Sequence, residues 1–411
     1  MTSVLLEEGL RMSITLKNLY QETGKYYQIQ LVAGESGLSR EVAWVQFCEE
    51  PDNTEFFRGN DLIITTGLCL DDGDWLLAFM RKMVAHKSAG LILNVGKYIK
   101  PEHITAAVHA FCEQEAFALF VIPWHIRLGD VMEDYCNRLF RAKQQETDLV
   151  ELVRTAVFQP EKSPLVEQEL CVKGLAGDEF AVLVWRVEGK ELEEAEKNNF
   201  LLSIKAQLNQ KQKSYVIFWH QKQILALIFH PDESSLQSLL EAVANLGSRL
   251  LQGQGKLVGG CSSFYRTAAC MYKAYHEAVS ALAMAVKRGK PYLTFSDLGV
   301  YRLVFAVDDQ DLLHKLHDEQ LAELKAYDEG HHSQLLPTLR AYLLAGGSLQ
   351  GTAEAMFTHR NTISYRLGKI REIVPFDLAS AEDCFALMMA FYIEDYQSAL
   401  ARTKEFVQDA Q

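Results

Sequence analysis

No apolar run in this 411-residue chain approaches the ~20 residues that a membrane-spanning helix needs. The eight cysteines (48, 69, 112, 136, 171, 261, 270 and 384) include no C-x-x-C pair and no spacing that suggests a disulfide framework or a zinc site. The N-terminal stretch MTSVLLEEGLRMS carries an acidic pair inside its only apolar patch and has no cleavage-site pattern, so an export signal is not expected. The thiols are therefore expected to be reduced, mostly buried and cytoplasmic, with no metal site. Enzyme signatures are missing too. There is no Walker phosphate loop and no G-x-S-x-G elbow. Gly253-Gln254-Gly255 is too short for a dinucleotide fingerprint and lies in the wrong order, between a helix and a strand. His331-His332 after Asp328-Glu329 read as a polar hinge. Neither a catalytic constellation nor a cofactor is expected. With 48% hydrophobic and 23% charged residues and no low-complexity tract, the chain is long enough for two or three globular domains.

The most informative stretch runs from Gly346 to Ile373 and reads as two short helices joined by a tight turn. Gly346-Gly347 ends a preceding helix, and Ser348 is a good N-cap for the next. Leu349, Thr352, Ala353 and Met356 recur at helical spacing, Ala353 being small enough for two helix axes to cross closely. Thr358 is expected to cap a second helix starting at His359. That helix should bury Ile363, Leu367, Ile370 and Val374 and present Arg360, Asn361, Ser364, Tyr365 and Arg371, with Arg366 and Lys369 on its flanks. The pattern fits a helix-turn-helix whose second helix enters the major groove of double-stranded DNA. Phe357 departs from it, standing where many such turns have glycine. Residues 348–371 hold four Lys/Arg and one Asp/Glu, a local charge of +3 on a chain of −13. A basic recognition helix on an acidic protein suits specific, salt-sensitive DNA binding. The candidate DNA-binding residues are Thr358, His359, Arg360, Asn361, Thr362, Ser364, Tyr365, Arg366 and Lys369.

Residues 14–125 alternate strand-like and helix-like segments. Tyr27–Val32, Ala43–Phe47, Leu62–Thr66, Gly90–Val95 and Phe117–Ile122 are apolar runs, with helical periodicity over Asp74–His86 and Glu102–Glu115. That order predicts a parallel sheet covered by helices. Residues 128–158 predict one long helix, apolar at both ends and polar over Arg141–Asp148, suited to linking domains and to pairing with its twin in a homodimer. The segment Gln159–Pro164, with two prolines, marks a domain boundary. Beyond it the expected elements are a strand over Phe180–Val187, a helix over Glu191–Gln210, strands over Tyr215–Trp219 and Ile224–Phe229, a helix over Leu236–Leu251, a strand over Lys256–Cys261 and a helix over Arg266–Lys287. These make an α+β domain built round a meander, followed by a helical stretch over Ser296–Gly330.

Several of these runs resemble PucR/CdaR-type bacterial transcription regulators. The C-terminal carriers are Leu339-Arg340-Ala341-Tyr342-Leu343, Gly346-Gly347-Ser348-Leu349, Thr352-Ala353-Glu354-Ala355, His359-Arg360-Asn361-Thr362 and Tyr365-Arg366-Leu367. In that family a bulky residue is common at the position of Phe357. The N-terminal carriers include Thr15–Leu19, Ala33–Leu38, Trp44-Val45, Pro51-Asp52, Asp61–Leu68 and Ile122-Pro123-Trp124. Gly259-Gly260-Cys261-Ser262, read as a turn, with Tyr275-x-Glu277-Ala278-x-x-Ala281-Leu282, resembles the end of a GGDEF-like domain, and Ser296–Leu303 is a further landmark. The resemblance implies a multidomain α/β protein: an α/β sensor domain (14–127), a linker helix (128–158), a non-catalytic GGDEF-like α+β domain (165–295), a helical connector (296–330) and an all-α helix-turn-helix domain (331–400). Residues 1–12 would be a frayed leader upstream of an alternative start at Met12.

Ala176-Gly177-Asp178-Glu179-Phe180 imitates the signature of diguanylate cyclases but precedes the domain's first strand, whereas a working signature tips a mid-domain hairpin. At the hairpin position the chain has His220-Gln221-Lys222-Gln223 instead, so the motif reads as coincidence. The resemblance implies a ligand-responsive regulator, an activator of a catabolic operon for purines, amino acids or related nitrogen compounds. The alternative is a small-molecule-binding enzyme or nucleotide cyclase carrying a DNA-binding tail. DNA partners would be inverted-repeat operators bound by a homodimer or higher homo-oligomer. A small effector would sit beyond the carboxyl ends of the parallel strands, where Thr65, Thr66, Gly67, Asn94, Gly96 and Trp124 gather.

Overall fold

The computed structural model describes residues 14–50, 57, 59–69, 75–175, 177–211, 214–307, 309–374 and 376–404. The leader expected over 1–12, Pro51-Asp52 and Ala176 lie outside them. Backbone contacts divide the chain into two compact units, Met1–Leu152 and Val153–Gln411.

The first unit opens with α1 (Leu16–Thr23), started by a reciprocal cap. Thr15 Oγ1 accepts from the Asn18 amide and Asn18 Oδ1 from the Thr15 amide. A five-stranded sheet follows in the order β1-β5-β4-β3-β2, formed by β1 (Gln30–Ala33), β2 (Trp44–Phe47), β3 (Asp61–Thr65), β4 (Gly90–Val95) and β5 (Ala118–Pro123). Alternate residues of the central strands serve two separate cores. Leu62, Ile64, Ile92, Phe120 and Ile122 meet Leu16 and Leu19 of α1 and Val131 and Tyr135 of the later helix α4. Ile63, Leu91, Leu93 and Leu119 meet α2 (Trp75–Ala85) and α3 (Ala106–Gln114) on the other face. Cover on both faces explains why these strands are continuously apolar, each buried Leu, Ile or Phe contributing roughly 1.5–3 kcal/mol. One expectation fails: β1 runs antiparallel to β5, so the sheet is mixed. It is an edge strand that enters straight from α1, with no crossover to impose parallel direction.

Helix α4 (Leu128–Phe158) is a single 31-residue helix with the expected bounds. Val131, Tyr135 and Leu139 are buried near its start and Val153, Ala156 and Val157 near its end, while Lys143, Gln144 and Gln145 between them are exposed. The two-proline segment does not leave the helical region. Pro160–Lys162 forms a 3-10 turn, and Pro164 sits in the first turn of α5 (Ser163–Val172), where a missing amide is harmless.

The second unit's sheet has the order β10-β9-β6-β8-β7. Its strands are β6 (Phe180–Glu188), β7 (Tyr215–His220), β8 (Gln223–Phe229), β9 (Lys256–Cys261) and β10 (Tyr292–Thr294), with α6 (Glu194–Lys211), α7 (Glu233–Leu251) and α8 (Met271–Arg288) between them. The expected meander is reduced to the hairpin of β7 and β8. The first strand, β6, takes the centre between β8 and β9, its first seven residues, Phe180 to Arg186, all buried. Gly259 and Gly260 are not in a turn but inside β9. A Cβ on Gly260 would lie 2.0 Å from the Ala278 carbonyl oxygen, so only glycine there lets α8 settle directly onto the strand, while Gly259 makes room for the Trp185 side chain of β6, 2.8 Å from where its Cβ would stand. The cysteines are less buried than expected: all are free, three are buried, three half-buried, and Cys69 and Cys171 exposed.

The remainder is helical: α9 (Tyr301–Phe305), α10 (Gln310–His331), α11 (Leu335–Leu344), α12 (Leu349–Ala355), α13 (Arg360–Ile373) and α14 (Ala381–Lys404). Helices α10 to α14 share a core that contains Leu321, Leu324, Leu339, Ala353, Ile363, Leu367, Ile370, Leu387 and Phe391.

Candidate nucleic-acid interface

Helix α11 ends where Gly346 (φ 61°) and Gly347 (φ 81°) take left-handed backbone. Ser348 then caps α12, its Oγ accepting from the Gly351 amide at 3.0 Å. Ala353 is buried in the shared core, as a close helix crossing demands. Phe357 makes the turn with φ 49° and stands 99% exposed. A left-handed non-glycine residue costs roughly 1–2 kcal/mol, and here no side-chain burial offsets it. The second helix begins one residue later than expected. His359, not Thr358, is the N-cap of α13, with Nδ1 accepting from the Asn361 amide at 3.2 Å. Thr358 instead closes the turn, its amide donating to the Ala353 carbonyl at 2.9 Å.

Helix α13 buries Ile363, Leu367 and Ile370, and Val374 just past its end, as the periodicity requires. The opposite face exposes Arg360, Asn361, Ser364, Tyr365 and Arg371. Arg360 and Ser364 are four apart, as are Asn361 and Tyr365, so two short rows of donors line the first turns. His359 is also exposed, and Thr362 is half-buried. Lys369 is half-buried, bonded to Glu372 at 2.8 Å and lying 5.9 Å above the Tyr327 ring. Its bond to Glu372 raises its pKa. Arg366 does not join the exposed row. Its guanidinium donates to Thr338 Oγ1 at 3.3 Å and Gln334 Oε1 at 3.1 Å, both on or beside α11. It secures α13 to the helix behind it, which a pattern confined to α13 could not show.

The other expected site lies at the carboxyl ends of β3, β4 and β5. Glu49, not foreseen from the sequence, organises part of it. Its carboxylate accepts from Thr65 Oγ1 (3.0 Å), Thr66 N (2.9 Å), Thr66 Oγ1 (2.8 Å) and Leu68 N (3.1 Å). Gly67 follows with φ 73°. Asn94 is buried, and its Nδ2 donates to the Pro123 carbonyl at 3.1 Å. Gly96 (φ 141°) lies against Trp124, where a Cβ would come within 2.7 Å of the tryptophan Cβ. Trp124 is 40% exposed, stands edge-on to Tyr98 at 5.6 Å, and carries Lys97 over its ring at 5.5 Å. The six residues therefore form two groups, Thr65-Thr66-Gly67 around Glu49 and Asn94-Gly96-Trp124 on the next strands. The hydroxyls and amide expected to meet an effector already hold partners within the chain.

In the second sheet, Gly177-Asp178-Glu179 precede the central strand β6, and the tip of the β7–β8 hairpin is Gln221-Lys222. Asp178 lies 2.9 Å from His230 Nε2, and Glu179 3.6 Å from Arg266. Among the described residues no group of three or more His, Cys, Asp or Glu could hold a metal ion. None of the described helices is long and apolar enough to cross a membrane.

Three family models match the chain: the purine catabolism regulatory protein-like family over residues 19–139, a GGDEF-like domain over 175–284, and the PucR C-terminal helix-turn-helix domain over 335–393. Among curated relatives, the proline-responsive transcriptional activator PutR of Bacillus subtilis is 26% identical over 257 residues, 59% of this chain and 60% of that protein. The DNA-binding transcriptional activator AdeR of the same organism is 24% identical, covering 52% of this chain and 51% of its own. The Bacillus subtilis purine catabolism regulatory protein is 31% identical over 117 residues, 28% of this chain and 22% of that one. The matched regions thus span about half the length of the first two relatives, and less of the third.

Proposed function

Because the chain belongs with the PucR-type regulators, carrying their N-terminal domain, a GGDEF-like domain and the PucR helix-turn-helix in that order, we propose that it is a sequence-specific DNA-binding transcriptional regulator responsive to a small molecule. The observation that carries the reading is α13. It is fixed to the domain core by one face and exposes Arg360, Asn361, Ser364 and Tyr365 on the other, with two of the four in its first turn. Arginine and asparagine are suited to guanine and adenine edges, and the hydroxyls to phosphates or bases. Lys369, further along and already leaning on Glu372, is placed for phosphate.

One such helix contacts too few base pairs for useful specificity, so the operator is an inverted repeat bound by a dimer. Helix α4, with its exposed polar middle, is the element we assign to pairing subunits together with the middle domain. The GGDEF-like domain serves assembly rather than catalysis. Its Gly177-Asp178-Glu179 segment stands before β6 and pairs locally with His230 and Arg266, far in sequence from the hairpin that a cyclase would use.

The effector belongs to the first unit, at the carboxyl ends of β3–β5, where parallel sheets gather loops around small molecules. The names of the relatives connect them with proline and with purine catabolism. For this chain we take a small nitrogen metabolite as the ligand class and activation of a catabolic operon as the outcome. The test is selection of bound sequences from a random DNA pool by the full-length chain. An enriched inverted repeat, bound with steep salt dependence, is expected. No enrichment over the pool, or bound sequences unchanged when α13's exposed residues are replaced by alanine, overturns the reading.

A further inference from the structure

Two runs singled out in the sequence, Ser296–Leu303 and Leu339–Leu343, have no part in reading DNA. They meet at one carboxylate. Asp395, on α14, is 95% buried by its side chain and receives three donors from three other helices. Lys287 Nζ, in the last turn of α8, lies 2.6 Å from Oδ1. Tyr301 Oη, in α9, donates to Oδ2 at 2.6 Å. Arg340, in α11, grips both oxygens, one of them at 3.0 Å. Helix α8 is the helix seated on β9 of the middle sheet, whereas α11 packs directly on α13 in the helix-turn-helix core.

The apolar packing of α14 has the same double allegiance. Leu387, Ala390 and Phe391 lie in the core of the helix-turn-helix domain. Ala399, two turns further on, packs with Ala283 and Met284 of α8. Ile393 and Tyr396, flanking Asp395, pack on Val304 and Leu313 of the connecting helices. Asp395 therefore sits where one helix passes from the DNA-binding core to the middle domain. Apolar contacts are non-directional and tolerate small rotations, whereas a carboxylate gripped by a two-pronged guanidinium, an ammonium and a phenol does not. A buried charge pair held on several sides fixes one arrangement among otherwise similar packings.

We infer that Asp395 is a positioning residue that sets the orientation of the recognition helix relative to the middle domain, with Lys287 as the middle domain's contact and Arg340 as the DNA-binding domain's. Any change in the middle domain that moves the end of α8 is delivered through this carboxylate to α11 and so to α13. The functional consequence rests on the DNA-binding reading of α13; the geometric claim does not.

The experiment uses the full-length chain with a ketone-bearing amino acid at Ser248 on α7 and another at Arg371 on α13, both exposed, so that spin labels can be attached without touching the native cysteines. Pulsed dipolar spectroscopy then gives the distance distribution between them. A single narrow distribution is expected for the parent. Lys287→Met, which removes the middle domain's contact and leaves the Arg340–Asp395–Tyr301 group in place, should shift or broaden it with helix content unchanged, and Lys287→Arg should restore it. Asp395→Asn should do the same more strongly; if that variant does not fold, Lys287→Met decides. Binding of a single half-site from the selected DNA should be unaffected by Lys287→Met, while binding of the full inverted repeat weakens. A folded Lys287→Met protein with the parent's distance distribution overturns the inference. A parent that binds no DNA overturns the proposed function instead and leaves the distance measurement to judge this one.

Discussion

Arg366 turns away from the exposed face of its own helix and donates to Thr338 Oγ1 at 3.3 Å, 28 residues earlier in the chain. It therefore makes a different prediction from its neighbours on α13. Arg366→Ala should lower stability to urea by about 1 kcal/mol, the usual worth of a part-exposed side-chain hydrogen bond, and weaken binding of all DNA sequences alike. A changed base preference with unchanged stability would return Arg366 to the reading face.

Arg360 and Asn361 should behave in the opposite way. Replacing either by alanine should cost ~1–3 kcal/mol on the preferred operator and relax sequence preference, with folding unaffected. Lys369→Ala should weaken every sequence similarly and flatten the salt dependence. Fluorescence anisotropy on the selected operator and on single-base variants, at several salt concentrations, separates the two classes.

Phe357 offers a test of backbone cost without packing. Its ring is 99% exposed and its φ is 49°, so Phe357→Gly removes a strained conformation and forfeits no core contact. Stability should stay within about 1 kcal/mol of the parent or rise slightly, the gain in the fold being partly offset by the freer unfolded chain. Ile363→Ala, six residues on and fully buried, should cost roughly 2–5 kcal/mol. Thermal unfolding of the two variants side by side gives the comparison.

The Asp395 carboxyl is pushed up by burial but held below its ordinary range by the stronger sum of bonds from Arg340, Lys287 and Tyr301, with Arg340 also facing Glu394. Tyr301 is raised, by burial and by its bond to the same carboxylate, and Arg288 lies 5.2 Å from its ring. A depressed carboxyl stabilises the fold fully above its unfolded pKa of about 3.9 and loses that contribution as pH falls through the lower folded value. Unfolding followed from pH 6 down to about pH 2 should therefore show less acid dependence in Asp395→Asn than in the parent. Equal slopes would mean that the carboxylate is not charged in the folded chain.

For the effector, Thr66→Val and Trp124→Ala should each lose ligand-induced thermal stabilisation while still binding operator DNA. Thr66→Val also deprives Glu49 of a 2.8 Å bond, so a small loss of intrinsic stability is expected with it. If a nitrogen metabolite stabilises both variants as it does the parent, the sensor site lies elsewhere, with the middle domain next to be examined.

Periodicity carried most of the architecture. The bounds of α4, the strands of the first sheet and the buried row Ile363-Leu367-Ile370-Val374 were all legible because each depends on burial repeated at a local spacing. Features set by partners far along the chain were not. The direction of β1 is decided by β5, and the central place of β6 by pairing with β8 and β9. Strand β10 is three residues long, too short for any pattern. Local rules also chose Thr358 over His359 as the cap, since threonine is the stronger capping type and histidine is seldom counted. Glu49 and Asp395 were invisible for the same reason as the partners of Arg366. A carboxylate's role here is defined by donors gathered from separate segments, and nothing beside it in the sequence announces them.

The bare backbone of β9 at Gly260 has a mechanical meaning. Most helices ride over a sheet on a layer of side chains, and that layer lets them slip by a fraction of a rotamer. Beneath α8 at Gly260 the layer is missing, and main chain rests on main chain. Strand and helix consequently form a solid block without lubricant, so that a push on the sheet reaches Lys287 as whole-body displacement, undamped by side-chain rearrangement on the way.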